Sequence, residues 1–210
     1  MKRIFLSILG IIVLFLLALK NPAGWQLFAV SSILVAYALA PYFNWQSKWA
    51  RWFIVFFSGL FVEVCAFMNN YSSQVKNPPL FHPILGPDLL IGACFYASLA
   101  LAWNIVESQW GMRLKDVVIM TLIFGICVEQ LGKILLTFNP LIYLFVGVVY
   151  LSMVLPGFLI VRPQDEPVAL WKRYIFGLTT LAAFSLIGTN ILTFPFKSSI
   201  PPKPLTAQIK

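Results

Sequence analysis

Apolar runs of bilayer length, separated by short turns, dominate this chain. Seven of them, at about 4–19, 26–43, 52–68, 89–106, 117–138, 140–161 and 174–194, fall within or near the roughly 17–25 residues that cross a hydrocarbon core. Composition closes off the alternatives. The chain is 60% hydrophobic and only 10% charged over 210 residues, against about 45–50% and 25% in soluble domains. A water-soluble fold of this size could not bury so much apolar surface, which excludes a cytosolic enzyme, a nucleic-acid-binding module and a disordered chain. The expected fold is all-α: a polytopic membrane protein, one domain over 1–194, built as a bundle of seven transmembrane helices. A flexible, Pro- and Lys-rich tail is expected over 195–210.

The net charge of +8 does not point to nucleic acid, because the cations are scattered among short loops, where they orient a membrane protein and meet anionic headgroups. One set of alternate loops holds Lys2, Arg3, Lys48, Arg51, Arg113, Lys115, Arg162, Lys172 and Arg173; the other holds Lys20, Lys76, Lys133, Lys197, Lys203 and Lys210. Every arginine falls in the first set. The positive-inside rule then puts the N-terminus in the cytoplasm and the C-terminus outside, in a multi-pass protein of the cell inner membrane. All tryptophans but Trp25 lie near the cytoplasmic ends, where indole suits the headgroup level. The first span could be a signal peptide, but Ala18-Leu19-Lys20-Asn21-Pro22 offers no small-x-small cleavage site, so a retained helix is expected.

Most connections are short. The exception is the outer loop 69–88, NNYSSQVKNPPLFHPILGPD. Its prolines forbid a continuous helix, while Leu80, Phe81, Ile84 and Leu85 make it too apolar for a linker. It reads as a lid or re-entrant segment packed on the bundle.

Ionisable groups inside a membrane are expensive, about 2.5–3.5 kcal/mol at a helix centre on insertion scales, and so point to function. Two acids qualify, Glu63 and Glu129, both in the outer halves of their spans. Glu129 has Lys133 in the favourable i,i+4 position, so a self-contained pair stands beside a functional role. Glu63 has no basic residue three or four positions away. It needs a partner on another helix, a proton of its own, or a wet cavity. His82, Asn69, Asn70, Tyr71 and Asp88 in the outer loop, with Asn190 near the outer end of the seventh span, place polar groups on the same level. Glu63, Glu129 and His82 are the candidates for proton chemistry; Asn69, Asn70, Tyr71, Asp88 and Asn190 are candidates for ligand binding.

A lone histidine among carboxylates is an ill-defined ligand set, so no metal site is assigned, and the sequence names no cofactor. Tyr96 and Asn104, eight apart on one helix, could line the cavity or bond a neighbouring helix, and the helix contact is the preferred reading. Glu107 and Asp116 are read as ordinary solvated charges, Gly125 as a close-packing residue, and the cysteines Cys65, Cys94 and Cys127 as free thiols in apolar runs. No lysine lies in the middle of the seventh span, and no HExxH, GxSxG or P-loop occurs.

The order Glu63, Tyr71, Gly86-Pro87, Trp103 resembles the carotenoid-hydratase-type membrane proteins over a short part of the chain. The Gly-rich, Tyr-dense stretch of that family is replaced here by Asn69-Asn70-Tyr71 and a Pro-rich run, and no residue role is carried over. The functional expectation is an outer-leaflet polar site that binds or acts on a lipid or isoprenoid. The alternatives are a non-catalytic accessory subunit and a small proton-coupled transporter; against the last stands the lack of internal repeats. The partners implied are membrane lipids, an apolar small-molecule ligand and, on the accessory reading, another membrane protein; nucleic acid is excluded.

Overall fold

A computed structural model describes residues 2–21, 24–43, 45–73, 84–129, 138–163 and 168–191. Among these residues all regular structure is helical: α1 (Lys2–Lys20), α2 (Gly24–Phe28), α3 (Ser31–Leu39), α4 (Lys48–Ser73), α5 (Leu85–Trp110), α6 (Leu114–Ile123), α7 (Pro140–Ile160) and α8 (Leu170–Leu186). α3 closes in a 3-10 turn at Ala40–Tyr42, and α6 and α8 run on into wide π-type turns at Phe124–Glu129 and Ile187–Ile191. Among the described residues five segments are long and apolar enough to cross a membrane: α1, Gly24–Tyr42, Lys48–Tyr71 of α4, α5 and α7. α1 shows why water is the wrong solvent. It is apolar on nearly every face, buries only Ser7 and Ala18, and leaves Phe5, Leu6, Ile8, Leu9 and Leu19 open. A helix greasy all round and uncovered by protein belongs in lipid.

Local chemistry sets the helix ends. Asn139 caps α7 by accepting from the Leu141 N–H at 3.0 Å, and Pro140 takes the first helical position, where a missing N–H is harmless. Pro87 sits in the first turn of α5 for the same reason, so that helix begins inside the segment expected to be lid. α4 likewise continues through Asn69–Ser73. The expected 69–88 loop is therefore shorter at both ends, and its centre, 74–83, lies outside the described residues, as does the tail. After α5, Gly111 adopts φ 55°, a conformation that favours glycine, and turns the chain into α6.

α5 is the axis of the bundle. Phe95, Leu99, Trp103 and Val106 are each at most 2% exposed and pack with Met120, Phe124, Phe158 and Leu181 from α6, α7, α8 and the adjoining turn. Trp103 meets Phe158 edge-on at 5.5 Å. Glycines bring helices close. A Cβ on Gly125 would stand 2.4 Å from the Tyr150 ring, which bears out the packing role expected of Gly125. Pro156 inside α7 cannot donate to the Ser152 carbonyl, and the Ser32 hydroxyl of α3 donates there at 2.8 Å. An interior proline is thus tolerated because a neighbouring helix caps the carbonyl it frees.

The arginines collect at one end. Arg3, Arg113 and Arg162 line one cavity of about 400 Å³ and Arg51 and Arg162 another of about 530 Å³, while Arg173 is joined to the first turn of α6 through Asp116. That is the grouping expected from the loop charges.

Candidate functional site

α4 starts at the arginine-rich end. Twelve residues separate Arg51 from Glu63, about 18 Å of helix, which puts the acid well inside the apolar span. Glu63 is 6% exposed, and its Oε2 accepts from the Tyr96 hydroxyl of α5 at 2.5 Å. Packing explains how the phenol comes so near. Gly59, one turn before Glu63, forms a notch: a Cβ there would lie 2.4 Å from Cδ1 of the Tyr96 ring. Gly92, one turn before Tyr96, lies across from Glu63, where a Cβ would make ordinary contact with Cγ of Glu63 at 3.5 Å. The Gly59 notch therefore admits the phenol between apolar helices.

Further along the same interface Asn69, Asn70 and Asp88 are buried, Asp88 completely. Asp88 lies in the first turn of α5, where the helix dipole favours a negative side chain. Asn70 donates to the Ala66 carbonyl at 2.9 Å. Asp88, Gly92 and Tyr96 follow one another at four-residue steps, as Gly59 and Glu63 do, so each set shares a helix face. Of the residues expected at the site, Glu63, Asn69, Asn70 and Asp88 thus share the buried α4–α5 region. Tyr71, by contrast, is 76% exposed. Asn190 is exposed in the turn after α8, and its amide donates to the Leu186 carbonyl at 3.2 Å. His82 and Lys133 lie outside the described residues. Glu129 ends the turn after α6, and its proposed pairing with Lys133 lies outside what is described.

Tyr96 is the residue the sequence reading left out of the site. Reading it as a contact to a neighbouring helix was right, as it was for Asn104, whose amide donates to the Lys48 carbonyl at 2.8 Å. The link from Tyr96 to Glu63 had no local signal.

One expectation is corrected outright. Glu107 and Asp116 are not solvated: they are 2% and 1% exposed. Arg51 Nη2 donates to Glu107 Oε2 at 3.0 Å, with both side chains at most 2% exposed. Arg173 Nη1 donates to Asp116 Oδ2, which also accepts from the Arg113 N–H at 3.1 Å, while Oδ1 accepts from the Tyr174 hydroxyl at 3.1 Å. The Arg173 Nε reaches the Trp110 carbonyl at 3.3 Å. Burial demands such pairing, since an isolated charge away from water is far costlier than a hydrogen-bonded one. These clusters tie α4 to α5 and α6 to α8 at the arginine-rich end.

Among the described residues, no group of three His, Cys, Asp or Glu side chains is placed to hold a metal ion. Cys65, Cys94 and Cys127 carry free thiols. Glu63, Asn69, Asn70, Asp88 and Tyr96 are not among the described residues that line the cavities at the arginine-rich end or the apolar groove along α4.

Comparison with known proteins adds no relative. No family model, curated protein or solved structure matches this chain. The resemblance to carotenoid-hydratase-type proteins gains no support from them, and function rests on the chain's own chemistry.

Proposed function

We propose that the chain crosses a bacterial-type inner membrane seven times, N-terminus cytoplasmic and C-terminus outside, and that its outer half binds or acts on a lipid or isoprenoid through the Glu63–Tyr96 pair. Two observations support the seven crossings. α6 and α8 start side by side at the arginine-rich end, joined by Asp116 and Arg173. Both then run on through π-type turns to Glu129 and Ile191, in keeping with a sixth and a seventh traverse. The clustering of all arginines at one end supports the orientation.

The observation that carries the functional reading is the 2.5 Å contact between the Glu63 carboxyl and the Tyr96 hydroxyl inside an apolar span. A carboxyl held by a phenol can take or give a proton in a dry site, and an intramembrane acid is expensive enough to need a reason. In this reading Glu63 exchanges a proton or hydrogen bond with the ligand's polar group. Tyr96 fixes the orientation of the carboxyl, and Asn69, Asn70 and Asp88 supply further polar contacts. Glu129 and His82 remain candidates for the second proton partner.

The test is mass spectrometry of an organic extract of gently purified protein, wild type beside Glu63→Gln. The expected result is a specific lipid or isoprenoid in the wild type that is lost in the variant. An extract holding only bulk phospholipid, the same in both, would overturn the reading.

A second reading has its own support. The bonds from Tyr96 to Glu63 and from Asn104 to Lys48 both join α4 to α5, as they would in an accessory subunit whose polar groups serve only to lock helices. A partner that co-purifies with wild type and is lost when the 69–88 segment is altered would favour it.

A further inference from the structure

At the arginine-rich end, the 3-10 turn after α3, the start of α4 and the exit of α7 enclose a cavity of about 530 Å³. Lys48, Arg51 and Arg162 line it together with Trp45 and Gln46, and among the described residues none of its walls is acidic. Arg51 is the built element. It is 2% exposed, its guanidinium lies 4.9 Å over the Phe158 ring, and Nη2 is held by Glu107. Its Nε and Nη1 are buried with no hydrogen-bond acceptor among the described residues. Beyond Glu107, a buried guanidinium with two further donors beside a cation-lined cavity is suited to accept a second, anionic group.

Ile160 is a wall of this cavity and also of a second one, about 490 Å³ in volume, that runs along α4 between α3 and α7. Its walls include Phe28, Phe53, Phe57, Phe61, Val35 and Pro156. Phe53 and Phe57 are more than half exposed, so the groove faces the surroundings of the bundle. From Arg51 to Phe61 is ten residues, about 15 Å of helix, and half of a hydrocarbon core is also about 15 Å. A cationic cavity that shares the wall residue Ile160 with an apolar groove about one leaflet long matches the charge and length of an amphiphile with an anionic head.

We propose that this composite cavity binds an anionic phospholipid of the leaflet on the arginine-rich side, its phosphate against Lys48, Arg51 and Arg162 and one acyl chain in the groove along Phe53, Phe57 and Phe61. The site is separate from the Glu63 cluster, and failure of either proposal leaves the other standing.

The experiment uses the full chain in nanodiscs. Phosphatidylglycerol or phosphatidylcholine carrying a photoactivatable diazirine on one acyl chain is cross-linked, and the labelled peptides are mapped by mass spectrometry. Phosphatidylglycerol is expected to label 53–61 and 156–160 well above phosphatidylcholine. The double variant Lys48→Gln/Arg162→Gln, which leaves the Arg51–Glu107 pair intact, is expected to lower that labelling about tenfold or more, given the contribution of each interfacial cation. Unchanged unfolding temperature in the double variant ties the loss to binding. Equal labelling by the two lipids, labelling elsewhere on the chain, or labelling indifferent to the double variant would each overturn the proposal, leaving only unselective lipid contact.

Discussion

Arg51 and Glu107 form a buried pair whose value depends on keeping both members. Removing one leaves the other charged and desolvated, which costs about 3–5 kcal/mol, whereas replacing both by well-packed apolar residues is often neutral. Glu107→Leu is therefore expected to lower unfolding stability in detergent by that amount. The double variant Arg51→Met/Glu107→Leu should recover most of it, and losses that simply added would contradict the pairing. Glu63 was legible in the sequence because an acid within an apolar run is rare enough to stand out. Its partner was not, because Tyr96 is 33 residues away and no local spacing joins them. The same blindness misread Glu107 and Asp116. Their arginines are 56 and 57 residues distant, and beside a short loop an acid looks solvated until the fold brings a cation over it.

Helices approach closely here where glycine or a capped carbonyl permits it. The Gly59 notch holds the Tyr96 ring, so Gly59→Ala is expected to cost about 1–3 kcal/mol through overpacking and to disturb the Glu63 contact as well. Gly86, in the first turn of α5, has nothing among the described residues within 4 Å of where a Cβ would go. Gly86→Ala should be neutral or stabilise by up to about 1 kcal/mol. The two unfolding curves side by side check both, and equal effects would argue against the notch. Ser32→Ala should orphan the Ser152 carbonyl beneath Pro156 and cost about 1–3 kcal/mol. In a Pro156→Ala background, where the α7 amide can donate again, that loss should shrink.

Hydropathy located these elements but clipped their ends. The apolar window predicts 52–68 where α4 runs Lys48–Ser73, and 89–106 where α5 runs Leu85–Trp110. The missing turns carry Arg51, Asn69, Asn70, Asp88 and Glu107, polar residues buried against other helices, which an apolar window discounts.

For the whole molecule, the leaflet given to each proposed site depends on which way up the bundle sits. The Glu63 cluster is assigned to the outer leaflet and the Lys48–Arg51–Arg162 cavity to the cytoplasmic one, and both assignments follow from seven crossings with every arginine inside. An even number of crossings would return the C-terminus to the side of the N-terminus, and an inverted bundle would exchange the two leaflets. Alkaline phosphatase and green fluorescent protein, each fused after Lys210, decide between these arrangements. The prediction is an active phosphatase and a dark fluorescent protein, which places residue 210 outside. A fluorescent fusion with an inactive phosphatase would contradict the topology and the leaflet assigned to each site.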